Sequence, residues 1–186
     1  DVEKEIPQPK GTEVLLHVKA AGLCHTDLHL WEGYYDLGGG KRLSLADRGL
    51  KPPLTLSHEI TGQVVAVGPD AESVKVGMVS LVHPWIGCGE CNYCKRGEEN
   101  LCAKPQQLGI AKPGGFAEYI IVPHPRYLVD IAGLDLAEAA PLACAGVTTY
   151  SALKKFGDLI QSEPVVIIGA GGLGLMALEL LKAMQA

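Results

Sequence analysis

Four of the chain's six cysteines fall within fifteen residues, as Cys88, Cys91, Cys94 and Cys102. The residues between them are mostly Gly, Glu, Asn, Lys and Arg, too few of them apolar to fold around a core. The shape of this segment must therefore come from a cross-link. Disulfides are one reading, since six is an even number, but they suit small secreted domains better than a chain of 186 residues without an export pattern. Two-residue gaps suit a metal, because a C-x-x-C loop turns both thiolates onto one ion with Zn–S near ~2.3 Å. Four thiolates close a tetrahedral shell and leave no open position, so such an ion is structural. An iron–sulfur cluster is the rival. The bacterial ferredoxin run continues C-x3-C-P, whereas here the gap is seven residues and Ala103 follows. Structural zinc is the favoured reading, with the cluster and the disulfide or free thiols as alternatives.

The flanking sequence has two textures. Residues 13–20, 61–67, 78–82 and 116–122 are rich in apolar and β-branched residues and are separated by Gly and Pro turns. Short strands parted in this way predict a barrel or sandwich over residues 1–125, with the cysteine lobe at 84–104. From 126 to 162 the pattern becomes helical, over Leu136 to Ala143 and Ala145 to Lys155. From 163 to 186 it changes again. Pro164-Val-Val-Ile-Ile predicts a buried strand, Gly169-Ala-Gly-Gly-Leu-Gly174 a tight turn, and Leu173 to Met184 a helix. Strand, glycine turn and helix together predict the opening βα unit of a parallel sheet of Rossmann type. Gly169, Gly171 and Gly174 form G-x-G-x-x-G, in which the first permits the turn and the second permits approach of a pyrophosphate. The third lets helix and strand pack closely. The run Gly38 to Gly40, followed by Lys41 and Arg42, is not a phosphate loop, since no Ser or Thr follows a Gly-Lys pair; it predicts a mobile surface loop.

Composition excludes several classes. The net charge of -5 argues against a nucleic-acid or anionic-membrane binder. The longest uncharged stretches, Ala139 to Leu153 and Pro164 to Leu178, are 15 residues each, against about 20 for a membrane helix. The opening Asp-Val-Glu-Lys-Glu is not a signal peptide, which sets the expectation of a cytoplasmic protein. The missing initial Met and the single βα unit predict a piece of a protein roughly twice as long.

Cys24 and Cys144 remain. Cys24 opens Cys-His-Thr-Asp, His58 lies in Leu-Ser-His-Glu-Ile-Thr-Gly, and Cys144 lies in Leu-Ala-Cys-Ala-Gly. By spacing alone the three are weak grounds for one site. An isolated Cys reads first as a small buried hydrophobe and an isolated His as a satisfied structural group.

Taken in order, five segments resemble the zinc-containing alcohol dehydrogenases of the medium-chain dehydrogenase/reductase family, microbial type. They are Gly22-Leu-Cys-His-Thr-Asp27, His58-Glu-Ile-Thr-Gly62, the four-cysteine lobe, Gly114-Gly-Phe-Ala-Glu-Tyr119 and Gly169-Ala-Gly-Gly-Leu-Gly174. The resemblance implies mixed β and α/β architecture: a GroES-like β-barrel catalytic domain, connecting helices, and the first βα unit of a Rossmann fold. It implies two zinc ions per chain and NAD or NADP. One ion would be held by Cys24, His58 and Cys144, the other by Cys88, Cys91, Cys94 and Cys102. Glu59 matches a carboxylate standing behind the ligands, and Asp27 an acid that orients the ligand histidine. Thr26 and His29 match a proton relay. Thr148 matches a residue against the nicotinamide, His25 a basic residue near the cofactor pyrophosphate, and Trp85 a wall of the substrate pocket.

The implied activity is reversible hydride transfer between a primary or secondary alcohol and NAD(P), with a small alcohol or aldehyde as partner. The implied assembly is a homodimer or homotetramer. Alternatives are a related zinc dehydrogenase acting on a polyol, amino-alcohol or aldehyde, and a non-catalytic zinc-binding module. Related polyol dehydrogenases usually carry Glu near position 144, so Cys144 favours the alcohol branch. Ser57 departs from the family, which usually has Gly before His-Glu. The residue that reads the cofactor ribose is expected beyond position 186, so the sequence does not separate NAD from NADP.

Overall fold

The computed structural model describes residues 2–50, 52–131 and 133–186. Alternating burial builds the sheet. Strand β1 (Val14–Gly22) pairs antiparallel with β4 (Glu59–Val67), and β4 with β5 (Val79–Val82). A short hairpin of β2 (Tyr34–Asp36) and β3 (Arg42–Ser44) stands apart from this sheet. Strand β6 (Tyr119–Val122) joins β1, and β7 (Leu128–Asp130) joins β5, giving the order β6-β1-β4-β5-β7. Strand β7 lies beyond residue 125, where the barrel was expected to end. Three residues after Pro125-Arg-Tyr are too few to read as a strand from sequence.

One face of the sheet supplies Val14, Leu16, Ile60, Val64, Val82, Ile120 and Val122, all buried in one cluster. Each such side chain contributes about 1.5–3 kcal/mol when fully buried. The opposite face carries Thr61 and Leu81. Leu81 packs with Ile131, Ala139 and Ala143, and the Thr61 hydroxyl donates to the Leu136 carbonyl at 2.9 Å. Period-2 alternation thus places the core on one side and the connecting helices on the other.

Helix α1 (His25–Glu32) follows β1 directly, and the short α2 (Asn92–Lys95) lies in the cysteine lobe. The helix expected over Leu136 to Ala143 is divided. It is α-helical as α3 (Leu136–Ala139), then tightens to a 3₁₀ turn over Ala140–Ala143. Pro141 has no N–H to continue the α ladder. Cys144 separates this turn from α4 (Ala145–Lys154), and α5 (Leu159–Ser162) comes next. Helix α6 (Gly172–Ala183) packs on α4, close to its expected place.

The expected strand after Pro164 is corrected. Residues 164–168 form no strand, and they are not buried: Val166 is 80% and Ile168 96% exposed. A strand is held by ladder bonds to a neighbour, and none of the described residues pairs with this segment. The glycines at 38–40 form the tip of the β2–β3 hairpin, each at positive φ, closed by the Leu37 N–H to Lys41 carbonyl bond.

Two local devices hold the cysteine lobe and the His58 segment in place. The lobe is fastened to the sheet through Glu99. Its carboxylate accepts the Gly87 N–H at 2.7 Å and the Tyr127 hydroxyl at 2.8 Å, and pairs with Arg126 at 2.8 Å. Tyr127 in turn accepts the His83 N–H on its carbonyl. The second device is Ser57, which enters β4 with φ 70°, in the left-handed region that disfavours a Cβ. It is fully buried; its N–H donates to Asp27 Oδ1 at 2.9 Å and its hydroxyl to the Gly22 carbonyl at 2.9 Å. The serine therefore compensates its backbone cost with a bond that glycine cannot make.

Two outcomes are expected. Burial alone would raise the Glu99 pKa, but the Gly87 and Tyr127 bonds and the Arg126 charge outweigh it and hold the carboxyl below its ordinary 4.5. The stability it contributes is present above that ordinary value and is lost as pH falls through the lowered one. Glu99→Gln should cost about 1–2 kcal/mol near neutral pH, with the difference from the parent closing in acid. Urea unfolding across pH measures this; a pH-independent difference contradicts it. At position 57, Ser57→Gly should stay within about 1 kcal/mol of the parent, since relief of the backbone cost offsets the lost hydrogen bond. Ser57→Val should cost more than about 2 kcal/mol in the same measurement.

Candidate metal centres

The sequence brings Cys24 to the end of β1 and the start of α1. Cys24 is the N-cap of that helix, and Asp27 at N3 returns its Oδ2 to the Cys24 N–H at 2.9 Å. The other Asp27 oxygen takes the Ser57 N–H, so one buried carboxylate ties the Cys24 turn to the segment carrying His58. Asp27 Oδ1 lies 3.9 Å from His58 Nδ1, beyond hydrogen-bond reach, and that nitrogen makes no hydrogen bond among the described residues. The motif Gly114-Gly-Phe also serves this segment. Gly114 N–H donates to the Thr55 carbonyl, Gly115 N–H to that of Ser57, and Phe116 N–H to that of Leu56. Gly22 is required by close approach, because a Cβ there would stand 2.1 Å from a Glu59 carboxylate oxygen.

The third element is the break between the 3₁₀ turn and α4, which presents Cys144. Cys24 Sγ and Cys144 Sγ are 3.8 Å apart, and His58 Nε2 is 3.3 Å from Cys144 Sγ. The ligand atoms of Cys24, His58, Glu59 and Cys144 all lie within 4.8 Å of one another. His58 is fully buried and Glu59 nearly so. Zn–S bonds of about 2.3 Å at tetrahedral angles place two sulfurs about 3.8 Å apart. The donor set of two thiolates, one imidazole and one carboxylate therefore fits a single zinc ion.

The electrostatics agree with such a donor set. Bonds from Cys144 and then His58 hold the Cys24 thiol down to about 3, with the Thr26 N–H and hydroxyl adding to the effect. Cys144 is displaced well upward, by its bond to Cys24 and by burial. Burial raises Glu59, reinforced by the Cys24 charge. For His58 burial favours the neutral ring, but Cys24, Asp27 and Glu59 together reverse this and the net shift is upward. The shifts arise because negative donors are brought close together.

In the lobe, Cys91 Sγ lies 3.5 Å from Cys94 and 3.9 Å from Cys102, and Cys88 Sγ lies 3.9 Å from Cys94. All six cysteines are free, which removes the disulfide reading from this arrangement. Four sulfurs at this spacing fit around a single ion, whereas the ligands of an iron–sulfur cluster sit on separate irons.

The remaining expected residues lie around these centres and at the glycine turn. The His29 ring lies tilted between those of His25 and Tyr35, with centroids 4.7 Å and 4.6 Å away; its Nδ1 is buried, 3.9 Å from Glu32 Oε2 and without a hydrogen bond among the described residues. Trp85 lies beside His58, centroids 5.4 Å apart, and its indole N–H donates to the Ala143 carbonyl. Thr148 is exposed on α4. Gly169 has φ 104°, and Gly171 caps α6. A Cβ on Gly174 would stand 2.0 Å from the Gly169 carbonyl oxygen, so that position admits only glycine. Sequence reading missed Tyr35, Glu99 and the Trp85 bond to Ala143. Each depends on a contact between distant segments that no local spacing encodes.

Comparison with known proteins places this geometry. Residues 10–133 match the alcohol dehydrogenase GroES-like domain. The chain is 47% identical over 181 residues to an NAD-dependent alcohol dehydrogenase of Sulfurisphaera tokodaii, covering 97% of this chain and 51% of that protein. An alcohol dehydrogenase of Geobacillus stearothermophilus is 43% identical, with 97% and 51% covered. The crystal structure of the D-arabinose dehydrogenase from Sulfolobus solfataricus superposes with a TM-score of 0.82 at 39% identity, over 97% of this chain and 54% of that one. The chain thus spans about half the length of the curated relatives it matches. With residues 10–133 matched, a span that carries strands β1 to β7, the cysteine lobe, Cys24 and His58, the chain belongs to the alcohol dehydrogenase GroES-like domain family.

Proposed function

We propose that this chain supplies the catalytic domain of a zinc-dependent, NAD(P)-linked alcohol dehydrogenase that interconverts a small alcohol and its carbonyl product. The observation that carries the reading is convergence. Cys24, His58 and Cys144 are 34 and then 86 residues apart in sequence, yet their ligand atoms meet Glu59 within 4.8 Å. When bound, zinc supplies Lewis-acid polarisation of the alcohol oxygen and the nicotinamide supplies the hydride acceptor. Cys24, His58 and Cys144 would hold the metal, and Glu59, close enough to be a fourth ligand, would yield that place to substrate. The Thr26 hydroxyl, on the first turn of α1, is the group that passes the alcohol proton onward. His29 receives it, held by the rings of His25 and Tyr35. The turn from Gly169 to Gly171 leads into the N-terminus of α6, a position that favours a pyrophosphate. Cys88, Cys91, Cys94 and Cys102 would hold a second, structural ion.

A homodimer or homotetramer in the cytoplasm goes with this reading on the family resemblance. Among the described residues no helix is long and apolar enough to cross a membrane. A relative named D-arabinose 1-dehydrogenase (NADP(+)) is 39% identical, so the assay should include NAD, NADP, simple alcohols and an aldose.

In the complete protein, Cys24→Ala should remove one zinc of two and reduce alcohol oxidation at least about 10³-fold. Zinc analysis and steady-state rates measure both; full activity in this variant contradicts the proposal. Zinc uptake should also release protons, because the raised Cys144 thiol must ionise to bind. Apparent affinity should then rise with pH. Calorimetry in buffers of different ionisation enthalpy measures the released protons, and no release contradicts the donor assignment.

A further inference from the structure

We infer that Trp85 is a positioning residue for the Cys24–His58–Cys144 centre, acting through a hydrogen bond to the main chain immediately before Cys144. This rests on the metal reading above and deepens it. At Cys144 one ladder stops and another begins. The Cys144 N–H closes the 3₁₀ turn on Pro141, and the first bond of α4 runs from the Thr148 N–H to the Cys144 carbonyl. The Ala143 carbonyl falls between these two ladders. The Trp85 indole N–H donates to it at 2.8 Å. The same indole ring lies 5.4 Å from the His58 ring, inclined at 58°, an edge-on packing distance. Trp85 therefore touches the segments of two ligands that are 86 residues apart.

The indole can hold these segments because its own backbone is fixed on both sides. The His83 N–H donates to the Tyr127 carbonyl, the Ile86 N–H to that of Pro84, and the Leu108 N–H also to Pro84. The next residue, Gly87, donates to Glu99. Pro84 and Ile86 are buried and Trp85 is half-buried, so the buried neighbours on either side anchor the indole. A phenylalanine would fill the wall and stack on His58, but it would leave the Ala143 carbonyl without its donor. Partners of this kind, which hold a ligand without touching the metal, are worth about 10- to 100-fold in metal affinity.

The test uses the complete protein, as purified wild type and as Trp85→Phe, loaded with Co²⁺ as the probe and stripped by a graded chelator. Thiolate-to-cobalt absorption distinguishes a four-sulfur site from a two-sulfur one. The expected result is that Trp85→Phe keeps the lobe ion at wild-type affinity. It should release the second ion at least about 10-fold more readily, with shifted cobalt bands. Unchanged affinity and bands at the second site overturn the inference while leaving the metal reading intact. A wild-type protein that binds only one Co²⁺ overturns both. Should the variant lose the lobe ion as well, wild-type hydrogen exchange decides. The chain has two tryptophans, and Trp31 is 81% exposed. The Trp85 indole N–H should exchange at least about 10-fold more slowly than that of Trp31. Equal rates overturn the inference.

Discussion

The Asp27 carboxylate is buried, and it accepts the amide N–H groups of Cys24 and Ser57. Hydrogen bonds to a charged acceptor contribute about 1.5–3 kcal/mol each, and the first turn of α1 adds a favourable dipole. Through these two bonds the turn that presents Cys24 is locked to the turn that presents His58. Everything at the centre depends on that lock. Around it Ser57 holds its left-handed conformation, Glu59 lies against Gly22, and His58 Nε2 stands 3.3 Å from Cys144 Sγ. The role differs from that of an acid bonded to the ligand ring. Asp27 orders the backbone that carries the ligands, and the His58 Nδ1 stands near it without a bond.

The cysteine lobe was legible because all of its ligands lie in one short run, and local spacing determines how such a loop closes. The strands β1, β4, β5 and β6 were legible for a similar reason, since each is a short apolar, β-branched run set off by Gly and Pro turns. Strand β7 was not, because three residues carry no period. Cys24, His58 and Cys144 could be joined only through resemblance, since nothing in their spacing requires them to meet. Ser57 shows the reverse case. Its departure from glycine is visible in the sequence, and the structure shows a serine that holds a positive φ and adds a bond to Gly22.

The glycine turn divides along the same line. Gly174 is fixed by a contact with Gly169 only five residues away, so its identity is a local matter. The apolar segment before it was expected to be a buried strand, yet Val166 and Ile168 are exposed. Apolar β-branched residues state a preference for an extended, covered segment. Which strand covers them is set by neighbours, and none of the described residues takes that place.

Central to this account is that two separate sets of side chains each enclose one ion, with different donors. X-ray absorption at the zinc edge of the fully loaded protein tests it directly. Four sulfurs in the lobe and two at the second centre average to about three sulfurs per zinc, with about one nitrogen or oxygen neighbour as the remainder. The account predicts that mixture at two zinc ions per chain. A shell of four sulfurs at one ion per chain would contradict it, and would leave Cys24, His58 and Cys144 without a metal to hold.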